Sequence, residues 1–147
     1  MEIREANPND YSDVTRIWFE ASILAYPFIE LNLLEDVARK LEFEHLPKTK
    51  TFVAINNDLT VGFISTIENF IAGLFVHPNY QGMGIGTSLI NYIRPAHDEL
   101  SLNVFKKNIK AQASYNKYGF VEIANSVHEE TGEIQLDMKL VNNKKLI

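Results

Sequence analysis

Residues 74–88, LFVHPNYQGMGIGTS, constrain what this chain can fold into more than any other stretch. An apolar run, Leu74, Phe75 and Val76, reads as a buried strand that His77-Pro78 stops. A short turn leads to Gln81-Gly82-Met83-Gly84-Ile85-Gly86, and residues 88–92 have the pattern of an amphipathic helix. Three alternating glycines thus stand where a strand hands over to a helix. Lacking Cβ atoms, they let backbone N–H groups converge on a phosphate, which the helix N-terminal dipole also attracts. The same glycines could serve only a tight turn and close helix–strand packing, and the local pattern leaves both readings open.

Two better-known phosphate loops fit badly. A dinucleotide fingerprint wants its third glycine where Thr87 stands, and an acidic residue about 20 positions later. Val104, Phe105, Lys106 and Lys107 occupy that later region, and no Lys follows any of the glycines as a nucleotide-hydrolase loop requires.

The organisation around the loop narrows the choice. Residues 2–6 read as a strand and Asn7-Pro8-Asn9-Asp10 as a turn with cap candidates. Tyr11, Val14, Ile17, Trp18 and Ala21 recur at helical spacing over 11–24, with Trp18 facing the core. Pro27 interrupts the pattern, so 25–29 is a loop, followed by a helix over 33–42 that Pro47 closes off. Strands follow at 51–55, 60–66 and 69–76, the first two joined by an Asn56-Asn57-Asp58 hairpin turn. After the loop come a helix over 87–97, a strand over 100–105, and a helix from the Asn108 cap to about Lys117, closed by Gly119. Strands beginning at 120–123 and covering 133–141 end the pattern, and 142–147, with Lys144 and Lys145, is a tail. The order β-α-α-β-β-β-α-β-α-β-β suits one α/β domain over 1–141 with a partly antiparallel central sheet. Three consecutive strands before the glycine loop do not suit a doubly wound dinucleotide fold.

At 147 residues, with 46% hydrophobic and 22% charged residues, a single soluble domain is the expectation. A formal net charge of −5 gives no support to nucleic-acid binding. The absence of cysteine removes disulfides, thiolate metal sites and a thiol nucleophile. No window has the apolar length of a membrane span, and a cytoplasmic monomer or small oligomer is expected.

A second cluster reads Asn103-Val104, Asn108, Ala111, Tyr115, Gly119-Phe120. Tyr115 lies four residues before Gly119, in the last turn of a helix that stops abruptly, where its hydroxyl can project past the helix towards the preceding strand. A lone tyrosine there is also an ordinary packing residue. Taken together, Gln-Gly-x-Gly-x-Gly after an apolar strand and Asn-(x)6-Tyr-(x)3-Gly-Phe beyond the next helix resemble the GNAT family of N-acetyltransferases. The opening Ile-Arg-x-Ala strand, Asp10 before the first helix, and Val61-Gly62-Phe63 extend the resemblance over nearly the whole chain.

The resemblance implies a mixed, mostly antiparallel sheet of about seven strands with four helices, splayed between the fourth and fifth strands. It implies acetyl-CoA in that opening, with Leu74, Phe75 and Val76 offering backbone bonds to the pantetheine arm. Gln81, Gly82, Gly84, Gly86 and Thr87 would hold the pyrophosphate; many members carry Arg where Gln81 stands. Asn108 matches the family's cofactor-contacting asparagine, and Tyr115 its general acid; Ser114 departs from the apolar or aromatic residue often found there. The implied reaction is direct acetyl transfer to a primary amine of a small molecule, peptide or protein in a ternary complex, with no metal. Dimers are common among similar proteins, so a homodimer is compatible.

The general base is not readable. Glu68 matches a position where some members carry a catalytic glutamate, and strand alternation could equally turn it to solvent. His77 adjoins Pro78 at a strand end, which suits a turn role, and a water chain would need neither. Tyr26, Phe28, Glu30 and Asn103 are the acceptor-site candidates, in a pocket expected between the 24–33 loop and the final hairpin. Lys106 and Lys107 could meet the cofactor's 3′-phosphate or simply be solvated. A non-catalytic acyl-CoA sensor on the same fold is the alternative reading.

Overall fold

The structure, a computed structural model, describes residues 1–141; the tail expected over 142–147 lies outside the described residues. Strand β1 (Glu2–Glu5) leads through a capped turn into α1 (Tyr11–Ala25) and α2 (Leu31–Lys40). β2 (Lys50–Asn56), β3 (Leu59–Ile67) and β4 (Phe70–Val76) form a meander. Then follow α3 (Ile85–Ile93), β5 (Glu99–Phe105), α4 (Ile109–Tyr118), β6 (Val121–Val127) and β7 (Ile134–Val141). The seven strands make one sheet in the order β1-β2-β3-β4-β5-β7-β6. Every neighbouring pair is antiparallel except β4 and β5. The expected seven strands and four helices are all present.

Parallel β4 and β5 pair only at Phe70–Ser101 and Ile71–Leu102, and then part. A bulge sits at that point. Ser65 pairs with Gly73 while Thr66 pairs with Ile71, so Ala72 is an extra residue on β4. An extra residue bends and twists the strand that carries it, here away from β5. It also resets which side chains face which way. Below it Ile71 packs with the cluster of Leu89, Ile90, Leu100, Leu102 and Phe120. Above it Leu74 and Val76 join that same face, whereas Phe75 turns to the opposite cluster of Val14, Ile17, Val53 and Phe63. One face of the sheet is thus covered by α3 and α4, the other by α1.

The β2–β3 hairpin turns on Asn57 and Asp58, both at positive φ (51° and 65°), as a tight two-residue turn of the sheet's twist requires. Helix α2 begins two residues earlier than its apolar spacing suggests, because the Glu30 carbonyl already accepts from Leu33 and Leu34. It runs on as a π-helical turn, Leu41–His45, and then a short 3-10 turn, Leu46–Lys48, with Pro47 in its opening positions. Helix α3 also starts early, at Ile85, with Gly84 as its left-handed cap (φ 81°), and Pro95, which has no N–H, stops it.

At the first corner the Arg4 guanidinium grips Asp10 through both carboxylate oxygens, at 2.8 and 3.0 Å, and the Asn7 N–H donates to the same group at 2.8 Å. Asp10 is buried. The bond from Arg4 holds its carboxyl below the usual carboxylate range, against burial, and the Asn7 N–H adds to the effect. A depressed folded pKa stabilises above the unfolded value, and that stability is lost as pH falls through the folded one. Asp10→Asn should therefore lower the melting temperature at pH 7. The gap from the parent protein should close below about pH 4. A gap in thermal melts that does not change with pH would mean the ion pair contributes nothing.

Candidate active site

The parting of β4 and β5 opens a cleft of about 570 Å³ that runs through the sheet. Its β4 wall offers backbone groups. The His77 N–H donates to Val61 O at 2.8 Å, which fixes the alternation along the β3 edge. By that register the N–H and C=O of Phe75 face β3, and those of Leu74 and Val76 face the gap, where β5 no longer reaches them. A backbone contact from Phe75 towards the cleft, expected from the sequence, is thereby corrected: Phe75 contributes its ring. That ring stacks on Phe63 at 5.7 Å and meets Trp18 edge-on at 6.3 Å. Gln81 Nε2 donates to Val76 O at 3.0 Å, so its side chain anchors the loop to the strand end.

The loop itself is an open cradle. Gly82 and Gly84 both take positive φ (80° and 81°), and a Cβ at either would meet nothing within 4 Å. Backbone conformation, not crowding, therefore explains the glycines. Ser88 N–H makes the first intrahelical bond, to Gly84 O at 3.0 Å, so the N–H groups of Ile85, Gly86 and Thr87 have no acceptor within α3. They form an anion site at the positive end of the helix dipole. Although the chain is acidic, Lys110 is the one charged side chain among the described residues lining the cleft. No carboxylate repels an anion there.

Tyr115 and Asn108 line the opposite wall, on α4. Asn108 Oδ1 caps α4 by accepting from Ala111 N–H at 3.3 Å, which leaves its amide nitrogen for the cleft. The Tyr115 carbonyl accepts from both Gly119 and Phe120, closing the helix directly below its ring. Gly119 makes this stop possible at φ 126°. Burial pushes the Tyr115 hydroxyl up to about 12. Tyr26, at the end of α1, is raised as well, by burial first and by Tyr115 second. The two phenols thus face one space, and both hold their protons at neutral pH.

Leu74, Phe75, Val76, Gln81, Gly82, Gly84, Gly86, Thr87, Asn103, Asn108, Tyr26 and Tyr115 all meet around this cleft. Three candidates do not join them. Glu68 sits exposed in the β3–β4 turn at positive φ (54°), at the closed end of the strand pair and away from the opening. Glu30 is exposed at the α2 N-terminus, where its carbonyl rather than its carboxylate is used. Phe28 stands behind the wall, against Tyr26 (6.0 Å) and Phe105 (5.6 Å). Asn103, with its amide turned to satisfy both ends, donates to Asp137 Oδ1 at 2.7 Å. His77 clamps rather than lines: Nδ1 accepts from Asn79 N–H at 3.1 Å, and Nε2 lies 2.6 Å from Glu20 of α1. Lys107 pairs with Glu133 at 3.1 Å, on the α1 side of the sheet.

Sequence reasoning missed Phe105 and Lys110. Both carried a signal. Phe105 alternates with Leu100, Leu102 and Val104, so it belongs to the other face of β5. Lys110 lies in the first turn beyond the Asn108 cap, and only folding brings it to the same cleft as the loop glycines.

Known proteins share this arrangement. The acetyltransferase (GNAT) domain family matches residues 30–142. The peptidyl-lysine N-acetyltransferase YiaC of Escherichia coli (strain K12) is 30% identical over 130 residues, spanning 88% of this chain and 89% of YiaC. The solution structure of apo YjaB from Escherichia coli superposes with a TM-score of 0.85 at 24% identity, covering 96% and 97% of the two chains. The PaiA N-acetyltransferase of Thermoplasma acidophilum in complex with coenzyme A gives a TM-score of 0.80 at 20% identity, over 96% and 98%. The matched domain, lying over a sheet splayed at the same place the motifs require, makes this chain an acyltransferase of the GNAT acetyltransferase family.

Proposed function

We propose that the chain moves the acetyl group of acetyl-CoA directly to a primary amine held in the same complex. The observation that carries this reading is a cleft lined from both faces of the sheet. The phosphate cradle, Asn108 and Tyr115 belong to the α3–α4 face, while Tyr26, Asn103 and the Phe75 ring belong to the α1 face. A cofactor from one side and an amine from the other meet between β4 and β5 without exchanging places. The complex of PaiA with coenzyme A supports a coenzyme A donor, and the relatives named as peptidyl-lysine acetyltransferases support a peptide amine as acceptor.

Each step has a group suited to it. Loop and α3 N–H groups hold the pyrophosphate, with Lys110 beside them. The gap-facing backbone of Leu74 and Val76 pairs with the pantetheine amides as an added strand would. When the amine attacks the thioester carbonyl, the Val76 N–H is placed to donate to the oxyanion. The departing sulfur takes a proton from the Tyr115 hydroxyl. Burial raises the proton affinity of a thiolate as it does that of a phenol, so the leaving sulfur is itself a stronger proton acceptor there. Among the described lining residues no carboxylate or imidazole stands ready as a base, so the amine reacts in its neutral form and its proton leaves through water.

Acetyl-CoA at about 100 times its Kd should raise the melting temperature by roughly 5–10 °C. No calorimetric binding at hundreds of micromolar would end the proposal. Tyr115→Phe should lower kcat about 100-fold and leave the acetyl-CoA Kd within about twofold; undiminished turnover would remove the hydroxyl from the reaction. Because Tyr115 keeps its proton to about 12, it adds no falling limb at lower pH. Between pH 6 and 9, kcat/KM should rise tenfold per unit towards the pKa of whichever amine is supplied. A profile with one fixed inflection for two amines of different pKa would instead point to a base on the protein.

A further inference from the structure

The acceptor side of the cleft is built round one side chain that the donor chemistry does not use. Phe105, the last residue of β5, lies on the α1 face and lines the cleft. Its ring meets three others edge-on: Tyr26 at 5.2 Å, Phe28 at 5.6 Å and His128 at 5.3 Å. Tyr26 and Phe28 come from the α1–α2 loop, and His128 from the β6–β7 turn. The Phe105 ring thus joins these two segments. Lys107 reinforces the join, with Nζ 5.3 Å above the Phe28 ring and 3.1 Å from Glu133 Oε1.

We propose that Phe105 is the specificity-determining residue of the acceptor half, its buttressed ring being the wall along which an unbranched methylene chain carries an amine to the thioester. This rests on the acetyl-transfer reading above. Two features of the wall select the chain. Its surface is aromatic and apolar, which suits methylenes that need no hydrogen bonds. Around it few polar groups are left over: Asn103 is tied to Asp137, and Gln135 Nε2 donates to Ser126 Oγ, which leaves chiefly the Tyr26 hydroxyl. An α-amine at a peptide terminus would bring its own amide N–H and C=O into this space, more polar groups than one hydroxyl can meet, at a cost. An amine at the end of an aliphatic side chain brings nothing polar before the nitrogen. Aromatic faces also tolerate that nitrogen while it is still an ammonium ion, before it loses its proton.

The test uses two hexapeptides with the parent enzyme and three variants. One peptide carries an acetylated N-terminus and one central lysine; the other is lysine-free with a free N-terminus. The parent should favour the lysine peptide at least about tenfold in kcat/KM. Phe105→Ala should raise KM for it about tenfold, keep kcat within about threefold, and leave the calorimetric Kd of acetyl-CoA unchanged. Phe105→Tyr should restore KM, since the wall returns. His128→Ala, which removes only a buttress, should raise KM in the same direction by less. An unaltered KM in a folded Phe105→Ala variant that binds acetyl-CoA overturns the proposal. So does equal or better use of the free N-terminus, or no transfer to the lysine peptide by a parent enzyme that binds acetyl-CoA. Failure of the parent to bind acetyl-CoA would strike the underlying reading instead.

Discussion

The function of this fold depends on β4 and β5 pairing for two residues and then separating. A continuous sheet would use every backbone group between its strands and leave no passage from one face to the other. Here the bulge at Ala72 bends β4 away once Ile71 has bonded to β5. Leu74 and the Val76 N–H are left without a strand partner, while Val76 O accepts from Gln81 Nε2, and buried groups of that kind are costly when unmet. The gap edge of β4 thus has the pattern on which an added strand would pair.

The same bulge decides which chemistry lies on which face. By adding one residue it places Leu74 and Val76 with the α3–α4 core and turns Phe75 towards α1. The glycine loop and Tyr115 then lie on one side, and the aromatic cluster of Tyr26, Phe28 and Phe105 on the other. Both meet in a space where burial raises two tyrosine hydroxyls above their ordinary range. For such half-buried groups electrostatic help from a single N–H or O–H is worth more than in bulk water, because water competes less for it.

Local chemistry made much of this legible in the sequence. The glycines announce positive φ, Asn108 announces a helix start, and Gly119 fixes where α4 stops and so where Tyr115 points. Each is a constraint between near neighbours. Boundaries shifted where a distant or terminal bond intervened: α3 began two residues early on Gly84, and α2 on the Glu30 carbonyl. Glu68 shows the limit more sharply. A carboxylate one residue before a strand can face a cleft or cap a turn, and only its left-handed backbone in the β3–β4 hairpin put it away from the opening.

By itself the sequence determined the element order, the left-handed glycine turn before α3 and the tyrosine at the end of α4, because those rest on backbone conformations that particular residues enforce locally. Tertiary structure alone decided that Phe75 offers a ring rather than an amide, and that Lys110 rather than Lys107 lines the cleft. It alone brought Tyr26, Phe105 and His128 into contact from segments far apart in the chain. For Phe75 the reason is the bulge and the strand register it sets; for the others it is packing between segments distant in sequence. Shifting a strand by one residue exchanges its two faces, and no short-range preference of the side chains fixes that choice.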